Sequence, residues 1–259
     1  MEKINNFWKN YKIIQTIGKD SLDDCVLVEK DNKIFVIKKI NISKLDKEMI
    51  ENYQELVLYL SRIITNDNVI KYYKSEIEGD YLNIFMEYGG NSNLKQFIYE
   101  YKDRNRLIEP KIIKDIIIQI CHGLKDIHNA KIIHRDIAPY SIFINKNNKV
   151  KIGHFDNAVI IKEYNDLINE LVGNVNYMAP EIEKGERYNT KVDIYSFGCI
   201  IYELFTLNKY NTDKFDKKDC RINTDIYNPK WQELIDLLLK EDYHERPDIE
   251  EIYNMIKDY

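Results

Sequence analysis

The chain has 259 residues, a formal net charge of −5, and 44% hydrophobic and 31% charged residues. The acidic balance argues against a nucleic-acid partner, and the hydrophobic share is ample for a buried core. Four scattered cysteines (Cys25, Cys121, Cys199, Cys220) form no C-x-x-C pair, which argues against structural zinc and against a disulfide framework. No apolar run approaches the ~18 residues that span a bilayer, and the first ten residues have no signal-peptide core. The expectation is a reduced cytoplasmic or nuclear setting, with no membrane partner. Asn-rich patches read as loops.

From residue 11 to 38 apolar and polar residues alternate around turns: YKIIQTIG, CVLVEK and KIFVIKK. These predict three antiparallel strands. Residues 46–64 predict a helix with Leu56, Leu60 and Ile63 on one side. Residues 67–91 supply two more strands and a Gly-Gly turn. Pro110 opens a helix over 110–130, whose apolar residues fall at 112, 113, 116, 117, 120, 124 and 127, one buried face. His122 and His128 on that helix read as surface or structural residues, because no carboxylate or cysteine stands at ligand spacing.

The centre of the chain is HRDIAPYSIFINKNNKVKIGHFDNA, residues 134–158. Ser141–Ile144 and Lys149–Gly153 predict two short strands that bring two charged turns together. Then come VGNVNYMAPE (172–181), a buried helix KVDIYSFGCIIYELFTL (191–207), a polar stretch (208–229), and two amphipathic helices, WQELIDLLLK and IEEIYNMIKDY.

These segments, in this order, resemble the eukaryotic protein kinases. FVIKKINIS and KIIHRDI look most like the NIMA-related (Nek) kinases. The resemblance implies an α+β, bilobal protein-kinase fold: an antiparallel N-lobe sheet with one helix (about 1–88) and a mainly helical C-lobe (about 89–259), one kinase-like domain over 1–259. In that family the first loop reads H-R-D-L-K-P-x-N. Its Asp accepts the substrate hydroxyl proton, and its Asn holds a metal ion. Here Asp136 matches the Asp, Ala138 replaces the Lys, and Ser141 replaces the Asn. The D-F-G triplet, whose Asp holds Mg²⁺, is His154-Phe155-Asp156.

Elsewhere the family's G-x-G-x-x-G-x-V turn is Gly18, Asp20, Asp23 and Cys25, so two carboxylates stand where phosphates would approach. The resemblance implies a nucleotide site lined by Ile17, Gly18 and Cys25, with Lys38 on the phosphates and Glu55 paired to Lys38 because it opens ELVLYL, Glu51 and Glu48 being the alternatives for that role. Met86 takes the gatekeeper position, and Glu87 to Gly89 the hinge. Glu181 pairs with Arg246, and Asp193 anchors the H-R-D backbone. No Ser or Thr lies between His154 and Glu181, so the usual phosphorylation switch that pairs with Arg135 has only Tyr164 and Tyr177 as hydroxyls.

The kept framework and the altered side chains imply a pseudokinase that binds another protein, a kinase or a kinase substrate. ATP is expected to bind weakly, and the Mg²⁺ site is expected to be lost. The alternative is an active Ser/Thr kinase with non-standard metal use. His154, an imidazole in place of a hard oxygen ligand, is expected to lie beside Asp136 and pair with it.

Overall fold

The computed structural model describes residues 11–19, 23–162, 167–210, 221–257 and 259. Asp20, Tyr164 and Cys220 lie outside the described residues, as do residues 211–220 of the polar stretch. The described chain divides into two compact units, one running to Thr65 and then from Ile70 to Gly89, the other made of Asn66–Val69 and the chain from Gly90 onward.

The first unit is a five-stranded sheet in the order β1-β2-β3-β5-β4. Its strands are β1 (Lys12–Lys19), β2 (Asp23–Lys30), β3 (Lys33–Asn41), β4 (Tyr72–Glu78) and β5 (Tyr81–Glu87), all paired antiparallel. The β2–β3 hairpin turns on Asp31 and Asn32, both at positive φ (50° and 58°). A two-residue hairpin loop requires that conformation, and Asp and Asn tolerate it. Val26, Val28, Ile37 and Phe85 form a core cluster on one side of the sheet, flanked by Tyr11 and Phe35.

Helix α1 (Lys47–Ile63) packs beside β4. Asp46 caps it, accepting from the Met49 amide at 2.8 Å. Its buried stripe is Leu56, Val57 and Leu60, and continues to Ile64, while Ile63 is 48% exposed. The expected stripe ended on Ile63. Ile63 is the last residue of α1, and the chain leaves the helix at its extended C-cap, Ile64 (φ −85°, ψ 113°), which is the residue that turns inward.

The second unit is mostly helical. Short strands β6 (Ser92–Asn93), β8 (Ile142–Ile144) and β9 (Val150–Ile152) form one sheet, and β7 (Ile132–Ile133) pairs with β10 (Val159–Ile160). The β8–β9 hairpin falls within the two short strands expected over Ser141–Ile144 and Lys149–Gly153. Helices are α2 (Leu94–Asp103), α3 (Pro110–Asn129), α4 (Pro180–Glu183), α5 (Lys191–Thr206), α6 (Lys230–Leu238) and α7 (Ile249–Ile256). Capping boxes start α2 (Asn93 with Gln96) and α7 (Asp248 with Glu251). Nearly every residue of α5 is buried, as its almost unbroken apolar sequence requires. Pro110 stands in the first turn of α3, and the face it opens is buried from Ile113 to Ile127.

Gly123 lets α3 approach closely: a Cβ there would meet Ile152 Cδ1 at 2.8 Å and the Asn68 carbonyl at 2.9 Å. That carbonyl accepts from the Ile152 amide at 2.8 Å, so the short Asn66–Val69 segment is tied to β9. Among the described residues no helix is long and apolar enough to cross a membrane. The first unit is thus a sheet with one helix and the second is mainly helical, the α+β make-up expected from the sequence.

Candidate active site

In the first unit the strand register gathers the predicted nucleotide residues. Ile17 pairs with Cys25, Cys25 with Lys38, and Lys38 with Ile84; two residues along, Val36 pairs with Met86. Cross-strand partners point to the same side and period two carries the pattern along each strand. Ile17, Cys25, Lys38 and Met86 therefore share one face. Gly18 sits in β1 at a break in the register between Ile17 and Lys19. Glu87 closes β5: its amide donates to the Lys71 carbonyl at 2.8 Å, and its carboxylate accepts from the Lys71 amide at 3.2 Å. Tyr88 and Gly89 follow, half-buried.

Glu55 does not take its expected place. It is exposed on α1, and no ion pair joins it to Lys38. The cause is the phase of the helix. With Leu56 and Val57 inward, the position one turn earlier on that stripe is Tyr53, half-buried, and Glu55 is turned away.

In the second unit Asp193 organises the loop after β7. Its Oδ2 accepts from the His134 amide and lies 2.9 Å from His128 Nε2, and its Oδ1 accepts from the Arg135 amide at 2.9 Å. Burial pushes this carboxyl up, but the His128 hydrogen bond and the His134 contacts outweigh it, so it is held below its ordinary range. His128 is thus a buried structural residue. Glu181 and Arg246 form a buried two-pronged pair at 2.6 and 2.8 Å.

Asp136 follows at the loop tip. The Tyr140 hydroxyl donates to its Oδ1, and Asn157 Nδ2 donates to its Oδ2 at 3.4 Å. Burial raises the Tyr140 pKa and the Asp136 carboxylate raises it further, while Asn174 pulls the other way. Asp136, Arg135, Asn174, Tyr177, Met178 and Ile182 contribute to the lining of a small cavity. Ala138 is fully buried. Ser141, also fully buried, turns its hydroxyl back on Ala138, donating to the carbonyl at 2.9 Å and accepting from the amide at 3.0 Å.

The expected pairing of His154 with Asp136 is absent. His154 stands in the left-handed region (φ 61°, ψ 56°), and its ring stacks on Phe143 at 5.5 Å with 5° between planes. Its edge meets Tyr140 at 5.8 Å, and its Nδ1 lies 3.9 Å from Asp156 Oδ2. Stacking on Phe143 takes the imidazole away from Asp136, whose oxygens are taken by Tyr140 and Asn157. Phe155 is buried against His134 at 4.7 Å. Arg135 reaches the Asn157 carbonyl at 2.5 Å and the Glu170 carboxylate at 2.7 Å. Among the described residues no three His, Cys, Asp or Glu side chains are grouped to hold a metal ion. Tyr140, Asn157 and Glu170 were not singled out from the sequence. They sit in loops or, for Asn157, in a single 3-10 turn (Phe155–Asn157), too short for any periodicity to say which way a side chain turns.

The family model for the Protein kinase domain matches residues 11–256. The serine/threonine-protein kinase Nek1 of Mus musculus is 36% identical over 202 residues, covering 77% of this chain and 16% of that protein. Nek3 of Mus musculus is 32% identical over 249 residues, 92% of this chain and 47% of that protein. A probable serine/threonine-protein kinase nek2 of Dictyostelium discoideum is 28% identical over 260 residues, 93% and 61%. The chain therefore spans less than two thirds of each of these relatives. The chain belongs to the protein kinase family, in its Nek-like part.

Proposed function

We propose that this chain is a catalytically impaired protein kinase, a pseudokinase that acts by binding another protein, either a kinase or a kinase substrate. The observation that carries the reading is the state of the two metal-holding positions. Mg²⁺ demands hard oxygen ligands in near-octahedral array. Position 154 offers an imidazole stacked on Phe143, and position 141 offers a hydroxyl closed on its own loop. These residues do not fit Mg²⁺. Loss of one preorganised electrostatic group costs roughly 10²–10³ in rate. Three such positions are changed here (138, 141 and 154), and although the losses do not simply add, little turnover survives them.

A nucleotide, if held, would rest on Lys38, Met86 and the backbone of Glu87 to Gly89, and weakly. Asp136 would be the vestige of the family's proton acceptor. Buried Cys121 and Cys199, with no disulfide among the described cysteines, suit a reducing cytoplasmic or nuclear setting.

One observation favours a second reading. Lys38 and Asp136 are retained, and the relatives are named serine/threonine-protein kinases. An active kinase with unusual metal use would need both.

A thermal-shift titration with ATP, with and without Mg²⁺ or Mn²⁺, separates the readings. A ligand at 100 times its Kd adds about 2.7 kcal/mol of stability. The expected result is little or no metal-dependent shift. A metal-dependent shift with phosphotransfer that vanishes in Asp136→Ala would establish the second reading instead.

A further inference from the structure

We propose that Tyr140 is a built-in occupant of Asp136: its phenol holds the position that an incoming hydroxyl would need in order to reach that carboxylate. The proposal rests on the non-catalytic reading above and adds a cause for it beyond the altered metal positions.

An ionised carboxylate only accepts hydrogen bonds, and a neutral phenol has a single proton to donate. Here that proton is given to Asp136 Oδ1, and the Asn157 amide takes Oδ2. Both oxygens are engaged by groups of the same chain. A hydroxyl from outside would have to displace a charge-assisted O–H···O⁻ bond, one of the stronger kinds in proteins. Asp136 faces the small cavity beside Asn174 and Tyr177.

The phenol is also braced. Tyr140 is half-buried, and its ring meets the His154 ring edge-on, which in turn lies flat on Phe143. An Asp at 154 would remove this support and add a second carboxylate near the first. Ala138, buried and without charge, brings no cation to compete for Asp136. The side chains at 138, 140 and 154 thus form one arrangement, in which the changed positions favour the tyrosine on the carboxylate.

The test is the titration of Tyr140 in ¹³C-tyrosine-labelled protein, its ring signal assigned with Tyr140→Phe. In the wild type the signal is expected to titrate well above the ordinary tyrosine midpoint of ~10, and Asp136→Asn is expected to bring it back down. A midpoint that Asp136→Asn leaves unmoved would overturn the proposal. A second arm restores the family side chains with Ala138→Lys, Ser141→Asn and His154→Asp, with and without Tyr140→Ala, and measures phosphate transfer from Mg·ATP to casein. The proposal expects removal of the tyrosine to raise turnover at least about tenfold. Equal, measurable turnover in the two restored proteins would also overturn it. If both are silent, the titration alone decides. Transfer by the unaltered chain that vanishes in Asp136→Ala would instead sink the non-catalytic reading, whatever the titration shows.

Discussion

Arg135 Nη1 lies 2.7 Å from Glu170 Oε2, so the arginine of the central loop is met by a carboxylate of its own chain. The Tyr188 hydroxyl donates to the Glu170 carbonyl at 2.9 Å, and the Ile168 and Tyr188 backbones bond each other in both directions. Gly173 lies against the same loop at φ +103°, where an added Cβ would come within 2.3 Å of the Arg135 carbonyl. The stretch from 168 to 173 is therefore fastened without any phosphate.

Replacing Glu170 by Gln should loosen that stretch locally. Glu170 is 59% exposed, so the effect on global stability is small, about 0–1 kcal/mol, and shrinks with added salt. Hydrogen exchange at the Ile168 and Tyr188 amides should speed up while the amides of α5 stay unchanged. Unchanged exchange at 168 and 188 would show that the backbone pairing alone holds the segment.

Arg246→Ala should be far more costly. The Arg246 and Glu181 side chains are almost wholly buried, and the arginine also packs over the Tyr195 ring at 5.0 Å. Removing one partner leaves a buried carboxylate without its cation, a loss of about 3–5 kcal/mol. The urea midpoint should fall accordingly. A drop below about 1 kcal/mol would mean that Glu181 finds water or another donor.

Acid should unfold the second unit partly through Asp193. Its folded pKa lies below the unfolded value, so the folded state gains from the ionised form. That stability is complete above the unfolded carboxylate range, near ~3.9, and is lost as pH falls through the folded value. Glu203 has the opposite sign: burial raises its pKa, with the Tyr177 hydroxyl at 2.6 Å only partly offsetting this. Its contribution is favourable at low pH and is lost as pH rises through the raised value. Urea melts stepped downward from pH 6 should show a steeper acid limb in wild type than in Asp193→Asn, measured relative to each protein's stability at pH 6.

Gly123→Ala offers a clean test of the α3–β9 contact. Inside a helix the change would normally gain up to about 1 kcal/mol. Here the new methyl meets backbone oxygen at 2.9 Å, so a net loss of about 1–3 kcal/mol is expected. A stabilised variant would show that the Asn66–Val69 segment can retreat freely.

The architecture was readable because it is written in periodicity. Alternation gave the N-terminal strands, and the apolar spacing after Pro110 gave α3. The limits appeared where one residue of phase decides the outcome. On α1 the sequence pattern admitted Ile63 and Glu55 as inward positions; packing chose Ile64 and turned Glu55 outward. Asp193 and the Glu181–Arg246 pair were legible through motif order, since they serve the frame itself. His154 and Tyr140 were not. In a loop, the direction of a ring follows from which neighbours it meets, and neither the left-handed backbone at 154 nor the flat face of Phe143 leaves a trace in residue order.

Asp193 joins α5, which carries it, to His128 on α3 and to two amides of the loop after β7. None of these donors is a side chain at 138, 141 or 154. The joint is thus independent of those three positions, and substitutions there carry no folding penalty at this joint. A lineage carrying such a frame can drift from enzyme to ligand for other proteins in small steps, each one leaving a foldable chain for selection to act on.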